Sequence, residues 1–173
     1  LPADALVGGM NLIAPQPDTY SGPMIDGKVV LSEVESAFRD GRQAEVPYMI
    51  GANDREFGFF LPPEAYAEKQ FDAFGDERDA AVAAYNPEGG VHIKEMAVRL
   101  SSDQAMVEPA RLLARLASKA QPTWTYRFAY VASSLRATQP GALHATEIPF
   151  VFGTVREKYG DATTDEDQAT ADA

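Results

Sequence analysis

Apolar residues along the chain recur at two spacings, one typical of strands and one of helices. The run "VPYMIGAN" at 46–53 is continuous and bounded by Pro47 and Gly51, which predicts a buried strand covered on both faces. In "TWTYRFAYV" at 123–131 the period is two. Trp124, Tyr126, Phe128 and Tyr130 fall on one face, predicting a second strand whose aromatic stripe is sheet core. Between them, Ala105, Pro109, Leu112, Leu113, Leu116, Ala117 and Ala120 recur at the helical period. Ser101 and Gln104 have capping-box spacing before them, so a long amphipathic helix is expected, bent at Pro109. A strand, a helix and a strand joined by so long a connection predict parallel pairing and an α/β sheet.

The rest of the chain is more polar. "SGPMIDGKVV" at 21–30 reads as a loop or hairpin, and Ser32 with Glu35 opens a short helix over about 33–40, stopped by Gly41. Residues 63–86 carry two peripheral helices, the second opened by Asp76 and closed by Asn86-Pro87. The tail "REKYGDATTDEDQATADA" is acidic, and a solvated or disordered end is expected. Thr164 and Asp167 nevertheless have helix-start spacing, so the chain is expected to stop inside an element.

Composition narrows the function. A chain of 173 residues that is 45% hydrophobic can bury one core. With 26 acidic against 15 basic side chains, the net charge of −11 disfavours nucleic acid as a partner. No apolar run reaches the roughly 20 residues of a membrane span. Zero cysteines exclude disulfides and thiolate metal sites, and two histidines leave little for a zinc site. Neither a metal nor an organic cofactor is expected.

Ligands of α/β sheets bind beyond the carboxyl ends of the strands. Asp54 and Glu56 follow the first strand, and His144 lies beyond the second, in "GALHATEIPFVFG" at 141–153. A carboxylate there could accept the imidazole Nδ1 proton, leaving Nε2 to act as general base toward a hydroxyl. Histidine as a residue type exchanges its proton near neutral pH, which suits that task. The competing reading is a hydrogen-bonded structural histidine, with solvated acids in a loop. His144 and Glu147 also have the three-residue spacing of a metal pair.

These motifs resemble the type-B carboxylesterases, the family of the cholinesterases and the bacterial para-nitrobenzyl esterases. "VPYMIGANDREFGFF" is similar to their acid segment, V-P-x-L-I-G-x-N-x-D-E. "GALHATEIPFVFG" is similar to their histidine motif, G-A-x-H-G-x-E-[IL]-P-[FY]-V-F-G. "GPMIDGKVV" and the section from "SSDQAMVEPARLLARLAS" to "TWTYRFAYV" follow the family in the same order, so the likeness runs from about residue 20 to the end. The resemblance implies an α/β-hydrolase fold, Glu56 as triad acid and His144 as base. It also implies Asp103 and Glu147 as carboxylates supporting them from behind. Asp54 stands as a rival for the acid. Two departures are plain: Ala145 occupies the usual glycine position after the histidine, and Phe57 replaces a small residue after the acid.

In α/β-hydrolases the nucleophilic serine precedes the acid, in a G-x-S-x-G elbow. Ser21, Ser32 and Ser36 all lack glycines two residues before and after, and no H-G-G-G loop is present. Residues 1–173 are therefore expected to be the carboxyl-terminal segment of one catalytic domain: its last core strands and covering helices, incomplete as given. A companion polypeptide or upstream segment would carry the serine. The expected function is hydrolysis of a small-molecule carboxylic ester through an acyl-enzyme. The alternatives are a non-catalytic cholinesterase-like adhesion domain and an unrelated interaction domain.

Overall fold

The computed structural model describes residues 25–58 and 61–173, which divide into a unit ending at Gln43 and a second unit, Ala44–Ala173. In the first unit, Asp26 Oδ1 accepts the N–H groups of Lys28, Val29 and Val30 at 2.9, 2.8 and 3.0 Å, so the chain turns on one side chain as its loop composition predicts. Residues 21–24 of that expected loop lie outside the described residues. Helix α1 covers Val34–Arg39, and Gly41 follows with φ +67°, the left-handed stop. Its start differs from the expectation. Glu33 is the N-cap without a side-chain bond, because the Ser32 hydroxyl instead accepts Arg42 Nη2 at 3.0 Å.

The second unit is built on two parallel strands, β1 (Tyr48–Asn53) and β2 (Thr123–Phe128), with Gly51 opposite Tyr126 and Asn53 opposite Phe128. Parallel pairing is the arrangement the long connection predicts. A Cβ on Gly51 would lie 2.6 Å from Tyr126 Cγ, so only glycine lets that ring lie against β1. The expectation that the strands are covered on both faces and that all four aromatics are core is not met. Phe128 and Tyr130 pack on Phe150, but Met49 and its register partner Trp124 are 67% and 53% exposed, and Tyr126 is 45% exposed. Among the described residues the sheet has two strands, with helix α5 (Glu108–Ala117) packed against both.

Helices α2 (Glu64–Asp72), α3 (Arg78–Tyr85) and α4 (Ile93–Ser102) lie between the strands in sequence. The first two are not merely peripheral. Ala67 and Phe71 are fully buried against Met96, Ala97 and Leu100 of α4, and Tyr85 meets the Phe71 ring edge-on at 5.8 Å. Burying a side chain like Phe71 is worth about 1.5–3 kcal/mol, enough to fix α2 on α4 despite its polar outer face.

No helix starts at Ser101. Helix α4 runs through it, a π-helical turn occupies Asp103–Val107, and α5 continues from Glu108 with Pro109 in its first turn. Capping-box spacing also occurs inside helices, where Ser101 Oγ here accepts Gln70 Nε2 at 3.0 Å. Pro109 brings no N–H and would clash with the carbonyl four residues back. The wider turn just before it accommodates both, and thus stands where a bend was expected.

The acidic tail is ordered. Helices α6 (Ile148–Val151), α7 (Val155–Tyr159) and α8 (Asp165–Ala171) pack together, with Val155 and Phe150 in the core. The Thr164–Asp167 capping box forms as its spacing predicts. The expected solvated end fails because Asp167, which reads as one more acid, is fully buried. Its carboxylate accepts Tyr130 Oη, Ser133 N and Ser133 Oγ on one oxygen and Thr164 N and Oγ1 on the other, at 2.8–3.1 Å. No helix among the described residues is long and apolar enough to cross a membrane.

Candidate active site

The carboxyl end of β1 leads straight into the acid loop. Asn53, 2% exposed, ends the strand, and its N–H donates to Glu56 Oε1 at 2.8 Å. The chain is held there by a second ladder. Arg55 and Leu143 form a parallel bridge, and Arg55 N donates to Ala142 O at 3.1 Å. The loop carrying Glu56 and the loop carrying His144 are therefore neighbours in register, although 88 residues separate the two side chains in sequence.

Glu56 Oε2 lies 2.6 Å from His144 Nδ1. The carboxylate is buried with 8% of its side chain exposed, whereas the imidazole is 55% exposed. With Nδ1 on the carboxylate, the tautomer that fits is the one carrying its proton there, and Nε2 has no partner among the described residues. A fixed carboxylate, an oriented ring and an exposed second nitrogen can move a proton to or from a group arriving from solvent.

Asp54 points elsewhere. Its Oδ1 accepts Ala142 N at 2.7 Å, and its Oδ2 lies 3.8 Å from Arg127 Nη2, so this acid anchors the turn before His144 rather than the imidazole. A Cβ on Gly141 would come 3.0 Å from Asp54 Oδ1, which keeps that turn close. Glu147 comes to the site through Asn53, whose Nδ2 donates to Glu147 Oε2 at 2.5 Å and to Leu143 O at 2.7 Å. Asp103 makes its hydrogen bond away from the acid loop, accepting Tyr85 Oη at 2.7 Å. Burial, then that bond, pushes the Tyr85 hydroxyl pKa well up, so it stays a donor. The contact to the acid loop comes one residue earlier. Ser102 Oγ accepts Phe57 N at 3.2 Å while donating to Val98 O at 2.9 Å, and is 2% exposed.

Two further groups complete the surroundings. Arg55, 7% exposed, pairs with Glu95 of α4 at 2.6 Å, tying the acid loop to the helix layer. A Cβ on Gly58 would strike the Arg55 side chain at 2.5 Å, so the loop closes over that guanidinium. Tyr126 of β2 has its hydroxyl pKa raised by burial first, then by the negative charges of Glu147 and Glu56. Among the described residues no group of three or more His, Asp or Glu side chains gathers to hold a metal ion.

Esterases are among the known proteins that this chain is similar to in structure and in sequence. The solved structure of a PNB esterase superposes with a TM-score of 0.64 at 24% identity, over 88% of this chain and 32% of that one. Aspergillus niger EstA gives 0.60 at 23% identity, over 87% and 31%. The fold is thus that of an α/β-hydrolase, in part. In sequence, the chain is 30% identical over 141 residues to the fumonisin B1 esterase of Sphingopyxis macrogoltabida, covering 78% of this chain and 26% of that protein. It is 29% identical over 140 residues to the para-nitrobenzyl esterase of Bacillus subtilis (strain 168), covering 77% and 27%. The profile of the Carboxylesterase family matches residues 78–173, a span that includes Asp103, His144 and Glu147. The chain belongs to the carboxylesterase family, and it spans about a quarter of the length of the curated relatives it matches.

Proposed function

We propose that this chain supplies the acid and the base of a carboxylic-ester hydrolase, with Glu56 and His144 completing a triad whose serine lies outside residues 1–173. The observation that carries the reading is the 2.6 Å contact between Glu56 Oε2 and His144 Nδ1, with the carboxylate buried and the ring exposed. Family membership supports ester hydrolysis as the class of reaction.

In this reading His144 Nε2 takes the proton of the serine hydroxyl as its oxygen attacks the ester carbonyl. Glu56, still ionised, stabilises the imidazolium that forms. The same proton passes to the departing alkoxide, leaving an acyl-enzyme and a free alcohol. Water then attacks the acyl carbonyl with His144 again as base. The acid product leaves and the serine regains its hydrogen. The oxyanion donors, often the largest electrostatic contribution, belong to the segment that carries the serine. No metal or organic cofactor takes part, and the chain on its own is inactive. Residues 1–173 are then the carboxyl-terminal segment of one catalytic domain. Support for this comes from Ser21, Ser32 and Ser36, none of which sits in a G-x-S-x-G elbow, and from the exposed pair Met49 and Trp124, which an adjoining layer would cover.

The test is turnover of a small chromogenic ester by the complete protein. His144→Ala is expected to lower kcat/KM by about 10⁴-fold or more. Turnover unchanged by that substitution would end the assignment, and a wild type without any turnover would favour a non-catalytic binding domain of the same fold.

A further inference from the structure

One buried side chain joins both loops of the site. Asn53 Nδ2 has two hydrogens, and both are used: one on Leu143 O, the carbonyl just before His144, and one on Glu147 Oε2. Its own N–H holds Glu56 Oε1, the oxygen that His144 does not contact. Each oxygen of Glu56 is thus fixed by a different partner. The backbone that holds one of them is pinned by the side chain of the same residue to the loop that carries the other.

The chemistry of an amide suits this place. A carboxylate at 53 would have no hydrogen to give and would stand against Glu147. A hydroxyl would have one hydrogen where two are needed. The titratable groups facing this cluster are Glu56 on the acid loop, His144 and Glu147 on the histidine loop, and Tyr126 on β2. Asp54 is committed to Ala142 N, and Arg55 to Glu95.

We infer that Asn53 is a positioning residue, which sets the distance and angle between Glu56 and His144 by tying the acid loop to the histidine loop through one amide. The inference rests on the esterase reading. Asn53 touches neither substrate nor the reacting atoms and acts only through Glu56, Leu143 and Glu147.

The experiment uses the complete protein and a small chromogenic ester, with wild type and His144→Ala run alongside. In Asn53→Ala, kcat is expected to fall about 10–100-fold, the effect of misplacing a catalytic group by about an ångström. KM should change by less than about threefold, because substrate binding is left alone. The downfield proton resonance of His144 Nδ1–H expected in wild type should shift or broaden in the variant. Retained kcat, or a loss of kcat with that resonance unchanged, would overturn the inference. If Asn53→Ala does not fold, Asn53→Leu, which has the same branching of heavy atoms and lacks both N–H donors, is read by the same two measurements. A wild type that does not turn over ester, or a fully active His144→Ala, would instead overturn the esterase reading itself.

Discussion

Ala145 is, among the described residues, the one non-glycine with a left-handed backbone, at φ +64°. It follows His144, at the position where the carboxylesterase motif has glycine. A Cβ in that conformation costs about 1–2 kcal/mol, and glycine would give part of this back by loosening the unfolded chain. Ala145→Gly is therefore expected to stabilise the protein by about 0.5–1 kcal/mol, read as a higher denaturant midpoint. An unchanged or lower midpoint would show that the loop relaxes around the Cβ. At this scale the sequence was partly legible. Glu56 and His144 stand out because a carboxylate and an imidazole beyond strand ends suggest proton transfer. Asn53 and Ser102 do not, because an asparagine closing a strand and a serine inside a helix read as ordinary structure. Their importance lies in partners 45 and more residues away. Asp103 reads as a supporting acid by its place in the motif, yet its bond goes to Tyr85, since the helix turns that side chain toward α3 while Ser102 meets the acid loop.

At the scale of elements, periodicity carried β1, β2 and helices α2, α3 and α5, because each pattern reflects which face meets a neighbour, whereas α4 at Ile93–Ser102 was not expected. It failed where tertiary contacts override local preference. The π-helical turn at Asp103–Val107 has no periodic signature, and the acidic tail gives no hint that Asp167 is buried. Burial by itself would push the Asp167 carboxyl pKa up. Hydrogen bonds from Thr164 N, Ser133 N, the Tyr130 hydroxyl and the Thr164 hydroxyl outweigh it and hold the group well below the usual carboxylate range. A depressed folded-state pKa means that the stabilisation is fully present above the ordinary aspartate value of about 3.9 and is lost as pH falls toward the folded value. Asp167→Ala leaves five donors without their acceptor and is expected to cost about 3 kcal/mol at neutral pH, undocking α8 from the loop after β2. Less of the acid-limb loss should remain in the variant. Equal stability of variant and wild type at pH 7 in thermal or urea unfolding would contradict this role.

At the scale of the whole molecule, two strand-end loops far apart in sequence converge because a parallel sheet sets its carboxyl ends side by side. The extra bridge between Arg55 and Leu143 then carries that register past the strands into the loops. The α/β class was legible from the strand and helix periods. The aromatic stripe was misjudged as core throughout, because alternation shows that a face is apolar without showing what covers it. The proposed function depends on Glu56, rather than its neighbour Asp54, being the partner of His144. Turnover of a small chromogenic ester by the complete protein, compared between Glu56→Gln and Asp54→Asn, tests this most directly. The amide at 56 should lower kcat by about 10³–10⁴-fold, while the amide at 54, which still accepts Ala142 N–H, should keep kcat within about tenfold of wild type. A nearly active Glu56→Gln beside an inactive Asp54→Asn would contradict the account.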